Sequence, residues 1–216
     1  MGRKTAIFIS GRGSNMAALI EAAKAPDYPA DIELVISNKP DAAGLKIARK
    51  HGIAARAIDH RSFATREEFE AKLTTAAEAA DIDLICLAGF MRLLTDDFVK
   101  HWEDRLINTH PSLLPAFKGI DTHARAIDTG VKIAGCSVHF VRSEMDSGPI
   151  IAQAAVPVLP DDTPDTLAVR VVKAEHRLYP MALRLVASGR ARVVGERVVI
   201  DAPVSDAAPL YSPPVD

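Results

Sequence analysis

Residues 6–15 read Ala6-Ile7-Phe8-Ile9-Ser10-Gly11-Arg12-Gly13-Ser14-Asn15. Four apolar residues in a row, without polar alternation, suit a strand covered on both faces. The small residues that follow end the strand in a tight turn. From Asn15 onward Met16, Leu19, Ile20 and Ala23 fall on one face of a helix. The pattern then repeats. A strand is expected at 32–36, a helix at 42–50 ended by Gly52, a short strand at 55–58, a helix at 66–80 and a continuous apolar strand at 84–88. Strands alternating with helices of this length imply an α/β fold, a doubly wound, Rossmann-like, mostly parallel sheet.

The second half has a mixed character. Residues 106–110 read as a strand running into a proline-rich loop, and 135–141 and 150–158 as two longer strands joined through Asp146, Gly148 and Pro149. Thr163-Pro164-Asp165 is a helix start, with a hydroxyl cap, proline at the first position and an acid in the first turn. That long C-terminal helix should reach Ser188, stop at Gly189 and bend at Pro180. A terminal hairpin follows at 192–200. Pro203, Pro209, Pro213 and Pro214 make 202–216 an irregular tail. The expected organisation is one domain over 1–201.

With 216 residues, 48% hydrophobic and 25% charged, the chain is ordinary for a globular protein. A net charge of -2 lacks the basic excess a general nucleic-acid binder needs. No apolar run of about 20 residues is present for a membrane, and Met1-Gly2-Arg3-Lys4 leads straight into the first strand without a signal segment. Cys86 and Cys136 lie far apart in apolar surroundings, which suits a reducing compartment, so the cytoplasm is expected. His51, His60, His101, His123, His139 and His176 show no ligand spacing, and no metal is expected.

Three segments can carry chemistry. The loop holding Gly13, Ser14 and Asn15 lets a ligand approach the backbone at a helix N-terminus, which suits a phosphate; it serves equally as a tight turn. A dinucleotide fingerprint fails, because Met16 occupies the third glycine position and the second strand ends in Ser37-Asn38 instead of an acid. A P-loop fails for want of Gly-Lys-Ser/Thr. In the second segment Asn108 and His110 project to one face of a strand. An amide and an imidazole aimed at one point can stabilise an oxyanion and manage a proton, as acyl transfer to an amine requires; alternatively they cap the loop. In the third, Asp146 can accept a hydrogen bond from His110 or simply shape the turn before Gly148.

Together the segments 9–15, 87–94, 107–115, 137–141 and 146–149, with Glu175-His176, resemble the folate-dependent formyltransferase family, over about residues 6–189. The resemblance implies transfer of a formyl group from 10-formyltetrahydrofolate to the amine of glycinamide ribonucleotide in purine biosynthesis. It implies that Asn108, His110 and Asp146 are catalytic, and that Gly13, Ser14 and Asn15 hold the phosphate while Glu175 contacts the ribonucleotide. It places the folate against Arg66, Met91, Arg92, Leu93 and Leu94, with Val141, Asn108 and Asp146. Residues 1–100 then form a phosphate-binding half and 101–201 a catalytic and folate-binding half. The partners are small molecules only, the chain being a monomer or homodimer. Methionyl-tRNA formyltransferase resembles the same segments but implies a further C-terminal domain, and formyltetrahydrofolate deformylase an N-terminal regulatory one; neither is expected here. A non-catalytic nucleotide-binding module would not need Asn108, His110 and Asp146 together. Extended dialysis against a chelator should leave activity intact; recovery of lost activity by added zinc or magnesium would show a metal site.

Overall fold

The computed structural model of the chain describes residues 2–201, 210 and 212. The expected irregular tail therefore lies outside the described residues, Leu210 and Ser212 excepted. The elements in chain order are β1 (Arg3–Ile9), α1 (Ser14–Ala23), β2 (Ala30–Ser37), α2 (Ala43–Lys50), β3 (Ala54–Ala57), α3 (Arg66–Glu78), β4 (Leu84–Leu87) and α4 (Asp96–His101). They continue with β5 (Leu106–His110), α5 (Thr122–Thr129), β6 (Ile133–Phe140), β7 (Ile150–Pro157), α6 (Pro164–Ala187), β8 (Ala191–Val194) and β9 (Arg197–Ile200). Seven strands form one sheet in the order β3-β2-β1-β4-β5-β6-β7. β1 to β5 are parallel; β6 and β7 each run antiparallel to the strand before. The hairpin β8–β9 is a separate two-stranded sheet.

The apolar runs are explained by helices on both faces. Ile7, Ile9, Cys86 and Ile107 point to one side, where they pack with Met16 and Leu19 of α1, Leu45 of α2, and Val171 and Leu183 of α6. Phe8, Ile85, Leu87 and Leu106 point to the other, against Phe69 and Leu73 of α3, Phe98 of α4 and Trp102 at its C-cap. Alternation along each strand thus sends consecutive apolar residues into two different cores. α6 begins as expected: Thr163 caps it with a reciprocal bond to Thr166, and Gly189 follows its C-cap in the left-handed conformation. It carries Pro180 within one helix of 24 residues.

Several boundaries differ from the sequence reading. β1 starts at Arg3, where polar side chains precede the buried run, and α3 ends at Glu78. α4 and α5 were not anticipated; at 6 and 8 residues they are too short to show helical periodicity. Strand order reverses between β1 and β4, so the loops leaving their C-terminal ends flank the crevice where open α/β sheets bind ligands. There Ser10 N donates to the Gly89 carbonyl at 3.2 Å. Just behind it, the fully buried Tyr179 hydroxyl of α6 lies 3.1 Å from the carbonyls of both Leu87 and Ile107, tying the helix to β4 and β5. Tyr179→Phe should lower unfolding free energy in urea by about 1–2 kcal/mol with the fold retained, the cost of buried carbonyls losing a donor.

Candidate active site

On β5, Asn108 and His110 face the α3–α4 side and Thr109 the α6 side. β6 runs antiparallel beside it, with Asn108 opposite His139 and His110 opposite Ser137. The connection from β6 to β7 folds back over this pair. Asp146 there has a φ of 51°, a left-handed conformation that Asp tolerates through its short polar side chain. Gly148 is required by close approach, since a Cβ would stand 1.7 Å from the Phe140 carbonyl oxygen. The result brings all three expected residues together. Asp146 Oδ2 accepts from Gly119 N at 2.8 Å and lies 3.4 Å from His110 Nδ1, both side chains being at most 10% exposed.

The carbonyl partners fix the protons of the two imidazoles. His110 Nε2 donates to the Phe117 carbonyl at 3.0 Å, leaving Nδ1 toward Asp146. His139 Nδ1 donates to the Phe140 carbonyl at 2.9 Å, so its Nε2 is an acceptor, and Asn108 Nδ2 donates to it at 3.3 Å. Burial pushes the His139 imidazole below its ordinary value, against the opposing pull of the Phe140 carbonyl and Asp146. A neutral His139 therefore makes no ion pair with Asp146 across 3.9 Å. It orients the Asn108 amide instead. Sequence reading gave His139 no role, because only strand register brings it opposite Asn108.

Across the strand lies the second group. Gly13 is left-handed at φ 77° at the start of α1, and a Cβ there would stand 3.0 Å from Gly44 Cα. Gly44, the second residue of α2, donates its N–H to Gly11 O at 3.1 Å and was not foreseen as the floor of this loop. Ser14 is the first residue of α1, whose leading N–H groups have no intrahelical partner. Asn15 Nδ2 donates to Glu175 Oε2 at 2.9 Å and Thr109 Oγ1 to Glu175 Oε1 at 3.4 Å. Burial pushes the Glu175 carboxyl up, while these donors and His110 pull it down. Lys173 is exposed and takes no part.

The remaining expected residues lie on the α3–α4 side. Met91 and Leu93 are 67% and 62% exposed, with Arg92 exposed between them. Leu94 and Val141 are half-buried against the same apolar cluster, and Arg66 is the exposed first residue of α3. Exposed apolar side chains next to arginine offer contact to a flat ring and charge to a carboxylate. Among the described residues no hydrogen bond or ion pair joins Arg66 to Asn108 or Asp146. Among the described residues no group of three His, Cys, Asp or Glu is arranged to hold a metal ion.

The family model described as formyl transferase matches residues 3–183. The chain is 50% identical over 190 residues to the trifunctional purine biosynthetic protein adenosine-3 of Gallus gallus, covering 88% of this chain but 19% of that protein, so it spans about a fifth of that relative's length. It is 42% identical over 187 residues to the phosphoribosylglycinamide formyltransferase of Escherichia coli (strain K12), covering 87% of this chain and 88% of the relative. The solved glycinamide ribonucleotide transformylase 1 from Symbiobacterium toebii superposes with a TM-score of 0.90 at 43% identity, over 92% of this chain and 94% of that one. The matched span includes the loop at Gly13, the strand with Asn108 and His110, and Glu175, and on that basis the chain belongs to the formyl transferase family.

Proposed function

We propose that the chain transfers the formyl group of 10-formyltetrahydrofolate to the amine of glycinamide ribonucleotide, giving formylglycinamide ribonucleotide and tetrahydrofolate in purine biosynthesis. The observation that carries this reading is the convergence of Asn108, His110 and Asp146 at the end of β5, beside the Gly13 loop and Glu175. The two expected ligand regions lie on opposite sides of that strand end. Gly13, Ser14 and Asn15 offer backbone N–H groups to the ribonucleotide phosphate, and Glu175 holds Asn15 and faces the sugar-bearing side. Arg66, Met91, Arg92, Leu93, Leu94 and Val141 receive the folate. The donor supplies an activated formyl group. As the amine attacks the formyl carbon and the bond to the folate nitrogen breaks, Asn108, and His110 once its Nε2–H turns from the Phe117 carbonyl to the substrate, stabilise the negative charge that builds on the formyl oxygen. Asp146 holds His110 through Nδ1 and orders a water that passes the amine's proton to the departing nitrogen.

Both partners are small molecules in this reading, and the chain acts as a monomer or homodimer. Cys86 and Cys136 are buried free thiols, which suits a reducing compartment such as the cytoplasm. The deciding experiment follows folate absorbance with 10-formyltetrahydrofolate, with and without the ribonucleotide. Release that depends on the acceptor supports the transferase; release without it selects a hydrolase.

Replacing His110 or Asn108 by Ala should lower turnover by about 100-fold or more, with little change in ribonucleotide binding. His139→Phe should lower turnover by about tenfold, and His139→Gln, which keeps an acceptor for Asn108, should recover part of it. Equal activity of His139→Phe and wild type in single-turnover assays would show that the Asn108 amide needs no partner. For Glu175, burial raises the carboxyl above the usual glutamate range. It therefore takes up a proton at higher pH than an exposed glutamate, and the protonated form loses an acceptor for Asn15 and Thr109. The ribonucleotide KM of wild type should rise as pH falls from 7 toward about 5. Glu175→Gln should bind more weakly but with a flatter profile over that range; parallel profiles would separate Glu175 from ribonucleotide binding.

A further inference from the structure

The segment between β4 and α4 is held at both ends by buried polar side chains that the mechanism does not use. At the front, Met91 N donates to Ser10 Oγ at 2.8 Å, and Ser10 Oγ donates to Asn38 Oδ1 at 2.6 Å. Ser10 and Asn38 are 5% and 1% exposed. At the rear, Thr95 N donates to both carboxylate oxygens of Glu70 at 3.0 and 3.2 Å, and the Thr95 hydroxyl donates to Glu70 Oε2. Thr95 is the N-cap of α4, its Oγ1 accepting from Phe98 N at 3.3 Å. Between these pins, among the described residues, the backbone groups of Arg92, Leu93 and Leu94 make no hydrogen bond within the chain. Backbone polar groups left in this way are ready to meet water or a ligand.

Glu70 is unusual for its place. It is 3% exposed on α3, and burying a carboxylate is costly unless its oxygens are satisfied. Both are satisfied by one residue, the first after Leu94. Glu70 also stands one turn beyond Arg66 on the same helix, within reach of its charge. One side chain thus connects the two elements on which the folate is expected. A helix cap alone would not require this, since the Thr95 hydroxyl already caps α4 and Asp96 and Asp97 supply its first-turn charge.

We propose that Glu70, with Ser10 at the opposite end, is a positioning residue for the formyl donor, holding residues 91–95 so that the backbone of Arg92 to Leu94 faces the folate ring. The proposal rests on the reading that this segment binds the donor. Pinning both ends fixes the spacing of those N–H and C=O groups before binding, so less ordering is left to be done when the ring arrives.

The test compares Glu70→Ala, Glu70→Gln and Ser10→Ala with wild type. Removing a charged acceptor from the Thr95 donors should raise the KM for 10-formyltetrahydrofolate by about tenfold or more in Glu70→Ala. The ribonucleotide KM should stay within about twofold. Glu70→Gln, which keeps one acceptor oxygen, should fall between, and Ser10→Ala should raise the donor KM without touching α3 or α4. Amide exchange at Thr95, whose N–H is held by Glu70, should quicken in the Glu70 variants. An equal rise in both KM values, or an unchanged donor KM in folded Glu70→Gln and Ser10→Ala, overturns the proposal. Adding tetrahydrofolate to wild type separates the two levels. If it fails to slow exchange at 92–94, the donor site lies elsewhere and the proposal falls with it. If it slows exchange there and the variants keep wild-type donor KM, the pins alone are dismissed.

Discussion

The site depends on the alternation of side chains along one short strand. β5 contributes five residues, and three in succession have different tasks because a strand turns neighbours to opposite faces. Asn108 and His110 look toward Asp146 and the α3–α4 side, while Thr109 looks toward Glu175 on α6. A strand buried on both faces is normally filled by apolar residues, as Leu106 and Ile107 still are. The change from apolar to polar occurs within the strand, at the C-terminal edge where the sheet opens. Moving the register of β5 by one residue would exchange the two sets and leave both groups without partners.

That placement commits carboxylates to the interior, and the three at the site and beside it are each matched by donors. Asp146 is met by Gly119 N and His110, Glu175 by Asn15 and Thr109, and Glu70 by Thr95. In every case the partners come from segments far apart in sequence. Satisfying a buried carboxylate thereby also fixes where two distant segments sit. The Gly13 loop shows the same principle with sterics, since the absence of side chains at Gly13 and Gly44 lets α1 and α2 meet behind the crevice.

These distant pairings mark the limit of what the sequence made legible. The strands of the parallel half were readable because consecutive apolar residues have no other economical explanation, and α6 because Thr163, Pro164 and Gly189 punctuate it. Asn108 and His110 were readable as a pair because their spacing is set by the strand itself. α4 was missed although Thr95-Asp96-Asp97 is a fair start signal, since two apolar residues, Phe98 and Val99, give no period to count. His139, Gly44, Ser10 and Glu70 were missed for a different reason. Their roles exist only once β6 is registered on β5, α2 is set behind the first loop, and α3 is set beside the 91–95 segment.

His139 illustrates how burial sorts two chemically identical groups. Two imidazoles converge on the single carboxylate of Asp146, at 3.4 and 3.9 Å. Two positive charges beside one negative charge in a site nearly closed to water would leave an uncompensated charge. The strand geometry resolves this by giving His139 the Phe140 carbonyl for its one proton and the Asn108 amide for its lone pair. Both ring nitrogens are then satisfied without a second proton, and burial favours that state. Asp146 is left to His110, whose other nitrogen already donates to Phe117. The asymmetry between the histidines follows from which carbonyls lie next to them, and it gives one imidazole to proton handling and the other to holding an amide in place.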